Sequence, residues 1–460
     1  MKTCSLPRSV LLGGLLSVLA SQLSAQTFNT LHSFTALHNN TNSDGVCPSA
    51  SLTLSEGVLY GTAAYGGSLS NGTVFRVSTD GTDFTTLHSF AGGTNDGGRP
   101  NQPMLVAKGT LYGTAFRGGS SGVGSIFAIN TNGTGFTNLH SFTGGSEGDG
   151  PSGALILSGE ILYGTTIYGG SSGVGSIFAI NTNGTGYRIL YSCTAVSASP
   201  SAGLVLAGST LYGTSYNGGG SSAGTVFAVN IDGMGFTNFY NFTGGSDGAK
   251  PNSSLILFGD TLYGTTQYGG VSGNGTVFAI KTNGTGFFTI YSFSKTSGNS
   301  NTNSDGVGPT AGLILSGNTI YGMAVGGGQW AGGTVFAVNT DSTGFATLYS
   351  FPFGNGGAYP YGGLTLSGNT LYGTTYSGGT SGKGTVFSLT LPPPQLTITH
   401  SAANIILSWS TNAVGFTLQS TTNLVSPIWA TNSQAPVVVN GQNAVTNPIS
   451  GIRKFYRLIQ

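Results

Sequence analysis

The chain has 460 residues, with 14 lysines and arginines against 13 aspartates and glutamates, a net charge of +1. So neutral a composition argues against recognition of nucleic acid or an anionic membrane surface through bulk electrostatics. Eighty glycines would suit disorder, but 38% hydrophobic and 11% aromatic residues supply a packed core, and the glycines recur at fixed places.

The first 25 residues read as a secretory leader. Lys2 and Arg8 give a positive start, Val10 to Ala20 a short apolar run, and Ser24-Ala25 a small-residue cleavage site. The run is too short to span a bilayer comfortably, and no later segment is a candidate span. An exported product, secreted or held at the cell surface, is therefore expected. Cleavage would remove Cys4 and leave Cys47 and Cys193, too far apart in the repeat to bridge.

From residue 26 to 391 one pattern is written seven times. Its tyrosines are Tyr60, Tyr112, Tyr163, Tyr212, Tyr263, Tyr321 and Tyr372, most within Leu-Tyr-Gly-Thr. Fifteen residues after each stands the phenylalanine of a Gly-Thr-Val-Phe phrase, from Phe75 to Phe387, and twelve before each a proline, from Pro48 to Pro360. In the fifth copy, Ser253 to Leu257, Thr261 to Thr266, Gly275 to Ile280 and Phe287 to Phe293 read as strands, bounded by Gly259-Asp260, Gly269-Gly270 and Asn283-Gly284 turns. Four strands repeated about every fifty residues suggest a propeller blade, with a parallel β-helix as rival.

The termini favour the propeller. A fourth-strand phrase runs from His32 to Phe34 before the first Leu-Tyr-Gly-Thr, and the last unit, ending near Leu391, lacks one. The expected fold is all-β: a seven-bladed β-propeller closed by the N-terminal strand, leaving no open edge.

The Tyr-then-Gly-Gly order is kelch-like, although the kelch tryptophan is missing. The fuller pattern, Leu-Tyr-Gly-Thr-x-x-Tyr-Gly-Gly followed by Gly-Thr-Val-Phe and Leu-Tyr-Ser-Phe, resembles the GloVer-type tandem repeat of secreted bacterial proteins over residues 28 to 390. The resemblance implies an exported β-repeat protein and no known catalytic residues.

Residues 392 to 395 form a stiff proline linker. Alternating patterns over residues 396 to 460, with Leu-Ser-Trp at Trp409 and a late Tyr456, resemble a shortened fibronectin type III module, a small β-sandwich.

The length variation falls in the crossings between blades. From the His or Tyr of the fourth strand to the next proline the counts are 16, 12, 11, 9, 11, 18 and 11. Variable loops on a rigid frame are where binding sites arise. Trp330, Phe353, Tyr359 and Tyr361 cluster in blades 6 and 7, where exposed aromatics would stack on sugar rings; against this, aromatics more often fill blade contacts. Asp44, Asp96, Glu147, Asp247 and Asp305 each begin an acid-Gly-x-x-Pro phrase. Such a ring would suit calcium, but Asp-Gly also makes a turn, and seven-fold spacing sets neighbours too far apart for one ion. His32, His88 and His140 share one repeat position held elsewhere by tyrosine, which makes them structural rather than a metal triad. No cofactor is expected.

No phosphate cradle or catalytic triad is marked out, and a glycosidase pair of carboxylates is not singled out among the acids. The expected function is an exported, non-catalytic binding or surface-interaction module, with polysaccharide or cell-surface glycan as partner. A purely structural or adhesive surface protein and a carbohydrate-active enzyme are the alternatives.

Overall fold

The computed structural model describes residues 26–298, 301–410, 416–432, 434–439, 442–449 and 453–459; the expected leader lies outside them. The chain is all-β, and the repeat forms seven four-stranded antiparallel sheets.

Sheet 1 comprises Thr53–Ser55, Val58–Ala63, Thr73–Ser78 and Thr85–Ser89. Sheet 2 comprises Leu105–Ala107, Thr110–Ala115, Ser125–Asn130 and Thr137–Ser141. Sheet 3 comprises Asp149–Ser158, Ile161–Tyr168, Ser176–Asn181 and Arg188–Ser192. Sheet 4 comprises Val205–Ala207, Thr210–Ser215, Thr225–Asn230 and Thr237–Asn241. Sheet 5 comprises Ile256–Phe258, Thr261–Thr266, Thr276–Lys281 and Phe288–Ser292. Sheet 6 comprises Ile314–Ser316, Thr319–Ala324, Thr334–Asn339 and Ala346–Ser350. Sheet 7 takes Thr365–Ser367, Thr370–Thr375 and Thr385–Thr390 from the end of the repeat and Thr27–Ser33 from its start.

The fixed spacing from tyrosine to phenylalanine is a hairpin register. In sheet 3 Tyr163 faces Ala179 and Gly164 faces Phe178. The Phe178 ring lies over Gly164, where an added Cβ would meet Phe178 Cζ at 2.5 Å and Leu155 Cδ2 at 2.8 Å. The third strands are buried along nearly their whole length, because a neighbouring sheet covers each face.

The core lies between sheets. Tyr60, Val74 and Phe90 from sheet 1 pack with Met104, Leu111 and Phe127 from sheet 2. The same join repeats through sheets 6 and 7, where Tyr321, Val335 and Phe351 meet Leu364, Leu371 and Phe387. Tyr372 and Val386 of sheet 7, with Phe34, form an equivalent cluster with Leu52, Leu59 and Phe75 of sheet 1. The fixed proline belongs to these joins. An added Cβ at Gly124 would sit 2.4 Å from Pro151 Cδ of the next unit, and one at Gly384 would sit 2.5 Å from Pro48 Cδ.

The first strands are shorter than the alternation suggests. Sheet 5 begins at Ile256, not Ser253, because the residues after Pro251 leave the ladder. Sheet 3 is the exception, with a ten-residue first strand that carries a register shift between Ser152 and Ile156.

Beyond Leu391, Thr397–Ser401, Asn404–Ser410, Gln442–Pro448 and Val437–Val439 form one sheet in that order. Ala430–Thr431, Thr417–Thr421 and Phe455–Ile459 form another. Leu407, Trp409, Leu418 and Val445 from both are buried together. Among the described residues no helix is long and apolar enough to cross a membrane.

Gly164→Ala is expected to destabilise the chain by roughly 1–3 kcal/mol, the usual cost of overpacking. Gly93→Ala, whose Cβ would meet nothing within 4 Å, is expected to stay within about 0.5 kcal/mol. Urea unfolding midpoints of the two variants test the difference.

Candidate functional site

A cavity of about 570 Å³ opens where the seven first strands converge. The residue after each fixed proline lines it: Ser49, Asn101, Ser152, Ser201, Asn252, Thr310 and Tyr361. Phe116 and Tyr376, from loops joining second and third strands, and Ile167, near the end of the second strand of sheet 3, also face it. None of the lining residues carries a formal charge. The Ser152 hydroxyl donates to the Ser201 carbonyl at 2.8 Å, and the Ser201 hydroxyl donates to Asn252 Oδ1 at 2.7 Å. Thr310 Oγ1 is buried without a hydrogen-bond partner. Hydroxyls and amides that can both donate and accept, set beside aromatic faces, suit a neutral polyhydroxylated surface.

The residue before each of those prolines has a left-handed backbone. Cys47, Arg99, Gly150, Ser199, Lys250, Gly308 and Tyr359 all have φ between 56° and 65°. Such a conformation is unfavourable for any side chain beyond glycine, yet five of the seven carry one, each two residues before a lining residue; at the rim of the cavity Arg99 lies against Phe116 and Cys47 beside Tyr376.

The aromatics singled out from the sequence divide. Tyr361 lines the cavity and meets Tyr376 edge-on at 5.5 Å. Tyr359, exposed, meets Phe353 edge-on at 5.5 Å. Trp330 is 52% exposed on the second-to-third loop of sheet 6 and makes no ring contact with the other three. Burial pushes the Tyr361 phenol up, and it pushes Tyr376 up to about 12, with Cys47 adding to the second shift. Both remain neutral hydrogen-bonding groups at physiological pH. Cys47 and Cys193 are free, and burial pushes the Cys193 thiol up to about 12.

The five acids and three histidines form a series that the sequence did not reveal. Asp44 accepts from the Thr35 amide at 3.0 Å and the Thr35 hydroxyl at 2.5 Å, and its Oδ2 lies 3.0 Å from His32 Nε2. Asp96 likewise accepts from the Ala91 amide and lies 3.2 Å from His88 Nε2. Tyr240 donates to Asp247 at 3.2 Å, and Tyr291 to Asp305 at 2.8 Å. Glu147 accepts from the Thr143 amide, with His140 Nε2 farther off at 3.9 Å. Burial holds the His140 imidazole below its ordinary pKa, with Glu147 opposing. Each carboxylate is thus turned into its own crossing. Among the described residues no three His, Cys, Asp or Glu side chains gather as a metal site.

For Asp44 and Asp96 burial raises the carboxyl pKa, but the histidine and local hydrogen bonds outweigh it, and both sit below the ordinary value. A depressed folded pKa contributes stability that is full above the unfolded pKa of about 3.9 and is lost as pH falls through the folded value. Asp44→Asn is expected to cost about 1.5–3 kcal/mol at neutral pH, the range for hydrogen bonds to a charged group. The gap from the unsubstituted chain should narrow below about pH 4. Thermal melts from pH 7 to pH 2.5 check it; a gap constant with pH would refute the assignment.

Comparison with solved structures shows a β-propeller-like fold. An oligogalacturonate lyase in complex with manganese superposes with a TM-score of 0.50 at 10% identity, covering 80% of this chain and 97% of that one. Oligogalacturonate lyase from Vibrio parahaemolyticus gives 0.50 at 9% identity, with coverage of 80% and 97%. A putative 6-phosphogluconolactonase from Bacteroides uniformis gives 0.46 at 15% identity, covering 87% and 98%. At such identities the likeness speaks of fold alone. No curated protein matches the sequence. The model of the Gloeobacter/Verrucomicrobia repeat matches residues 20–220, 194–304 and 296–425, and the chain, repeat after repeat, is a member of that family.

Proposed function

We propose that this chain is an exported, non-catalytic binding module: a seven-bladed β-propeller, closed as a ring, that holds a polysaccharide or cell-surface glycan at the cavity where its first strands converge. Closure is supported by the antiparallel pairing of Thr27–Ser33 with Thr385–Thr390 and by the apolar cluster shared between sheets 7 and 1. Export is supported by the leader-like first 25 residues. The tail reads as a fibronectin type III-like sandwich, supported by its two sheets around Trp409.

The observation that carries the binding function is the cavity lining. Every repeat contributes a hydroxyl, amide or phenol at one position, while Tyr361, Tyr376 and Phe116 supply aromatic faces. The lining holds no carboxylate, so acid–base hydrolysis of a glycosidic bond lacks its donor pair there.

Purified protein titrated against a polysaccharide panel is expected to bind without releasing sugar. Tyr361→Ala should weaken binding roughly tenfold, equivalent to about 1.4 kcal/mol. Loss on Trp330→Ala with Tyr361→Ala silent would shift the site to the outer loops of sheets 6 and 7. Turnover would make the protein an enzyme, and neither binding nor turnover would leave a structural or adhesive role.

A further inference from the structure

We infer that the saccharide taken at this cavity is acidic, carrying carboxylate or sulfate groups; the inference rests on the glycan reading above. The lining is neutral, but the rim is not. Arg99 and Lys250 occupy two of the seven left-handed positions before the fixed prolines. Arg117 and Lys383 lie on the adjoining second-to-third loops, Lys383 beside Cys47. Among the described residues none of these four cations is in an ion pair. The crossing acids do not answer them, because each is held by the threonine, serine or histidine of its own unit. Asp149 is the single acid within two residues of any of the seven prolines.

Two of these cations are also held in place. The Arg99 guanidinium lies over Tyr65 at 5.1 Å and Phe116 at 5.6 Å. Stacking fixes its plane and leaves its N–H edge free, which is the edge that grips a carboxylate or sulfate. Lys250 Nζ lies 5.2 Å from the Tyr216 ring and donates to Asn217 Oδ1 at 2.6 Å and to the Ser222 carbonyl at 2.8 Å. Both acceptors are neutral, so its charge stays uncompensated and its third donor is unused. Gly150 and Gly308 meet the same backbone demand without strain. Arg99 and Lys250 adopt that conformation with a long cationic side chain, and each holds that chain in fixed contacts.

An anionic group gripped by Arg99 or Lys250 sets the adjoining sugar against Asn101 or Asn252, the next residue but one in each case. The lining hydroxyls and amides then meet ring hydroxyls. The charge selects, and the neutral lining positions.

The test compares polymers that share a backbone and differ in charge: carboxymethyl cellulose against hydroxyethyl cellulose, and dextran sulfate against dextran, with alginate and hyaluronan as further uronates. The full chain is titrated with each at 50 mM and 300 mM salt. At least one acidic polymer should bind ten times or more tightly than its neutral counterpart, with affinity falling as salt rises. Carboxylate and sulfate arms show which group is preferred. Arg99→Gln and Lys250→Gln should each weaken that binding about fivefold or more, and Lys108→Gln, at an exposed lysine paired with Glu160, should not. Urea midpoints confirm folding; should one rim variant fail to fold, the other and the salt dependence still decide. Equal binding of neutral and acidic polymers, or rim variants without effect, overturns the acidic preference and leaves the glycan reading standing. Binding of none of the polymers overturns both.

Discussion

Sheet 7 borrows its outer strand from the opposite end of the chain, and the rest of the architecture hangs on that pairing. Thr27–Ser33 lies antiparallel to Thr385–Thr390, with a register shift between Thr30 and His32 that bulges Leu31. The same shift bulges Leu87, Leu139, Leu190, Phe239, Ile290 and Leu348 in the other six sheets. A bulge increases twist and re-aims the side chains beside it. Here the residue that follows is the repeat's His or Tyr. The strand also brings Phe34, whose amide donates to the Gly384 carbonyl at 3.1 Å as Phe90 donates to Gly72 at 2.9 Å. The borrowed strand therefore reproduces the others in register, bulge and closing bond.

The re-aimed ring explains why histidine and tyrosine exchange at that position. Each is a flat ring with a polar edge atom, and both parts are used. The face stacks on an aromatic of the next sheet: His32 on Phe84 at 3.5 Å, His88 on Phe136 at 3.8 Å, His140 on Tyr187 at 3.9 Å. Tyr191, Tyr240 and Tyr291 repeat this on Phe236, Phe287 and Phe345, and Tyr349 stacks on Phe28 of the borrowed strand at 4.1 Å. At four of the five crossings that carry an acid the edge atom bonds to it, and at the fifth His140 Nε2 stops 3.9 Å from Glu147. Where the acid is missing, the crossing finds other means. Between sheets 3 and 4 the Thr194 amide donates to Ser197 Oγ at 3.1 Å, and between sheets 6 and 7 Gly356 brings its backbone close to the Tyr349 hydroxyl. One interaction thus accounts for two patterns that resemble metal sites in sequence.

Much of the frame was legible because its causes are local. Hairpin register fixes the distance from tyrosine to phenylalanine, and Phe178 over Gly164 shows why the intervening glycine cannot vary freely. The incomplete first and last units pointed to the borrowed strand. The bulge was not legible, since Leu31 and its counterparts look like ordinary strand residues. The pairing of His32 with Asp44 was hidden because strand and crossing meet only after the turn folds back. The cavity was hidden for another reason. Loop length directs attention to the two longest crossings, of 16 and 18 residues, whereas the lining comes from positions of constant spacing. Its signal was present: Ser, Asn, Ser, Ser, Asn, Thr and Tyr after seven prolines, polar or phenolic each time. Only convergence of those positions in space gives the signal meaning.

The backbone separates the frame from the cavity lining at a distance of one or two residues. The proline contacts a glycine of the preceding unit, so it cannot change without opening the join. On one side of it stands the lining residue, on the other a left-handed residue. A residue before proline is already restricted, and a side chain in the left-handed region costs of order 1–3 kcal/mol unless its surroundings enforce it. The surroundings do enforce it here. The Arg99 amide donates to the Asn71 carbonyl at 2.7 Å, and the Lys250 amide to the Ala223 carbonyl at 2.6 Å, each anchoring the strained residue to the unit before. The frame sets the conformation whatever the side chain, and glycine would satisfy it at least cost. Five of the seven positions carry arginine, lysine, tyrosine, serine or cysteine instead, so backbone preference alone does not set these residues.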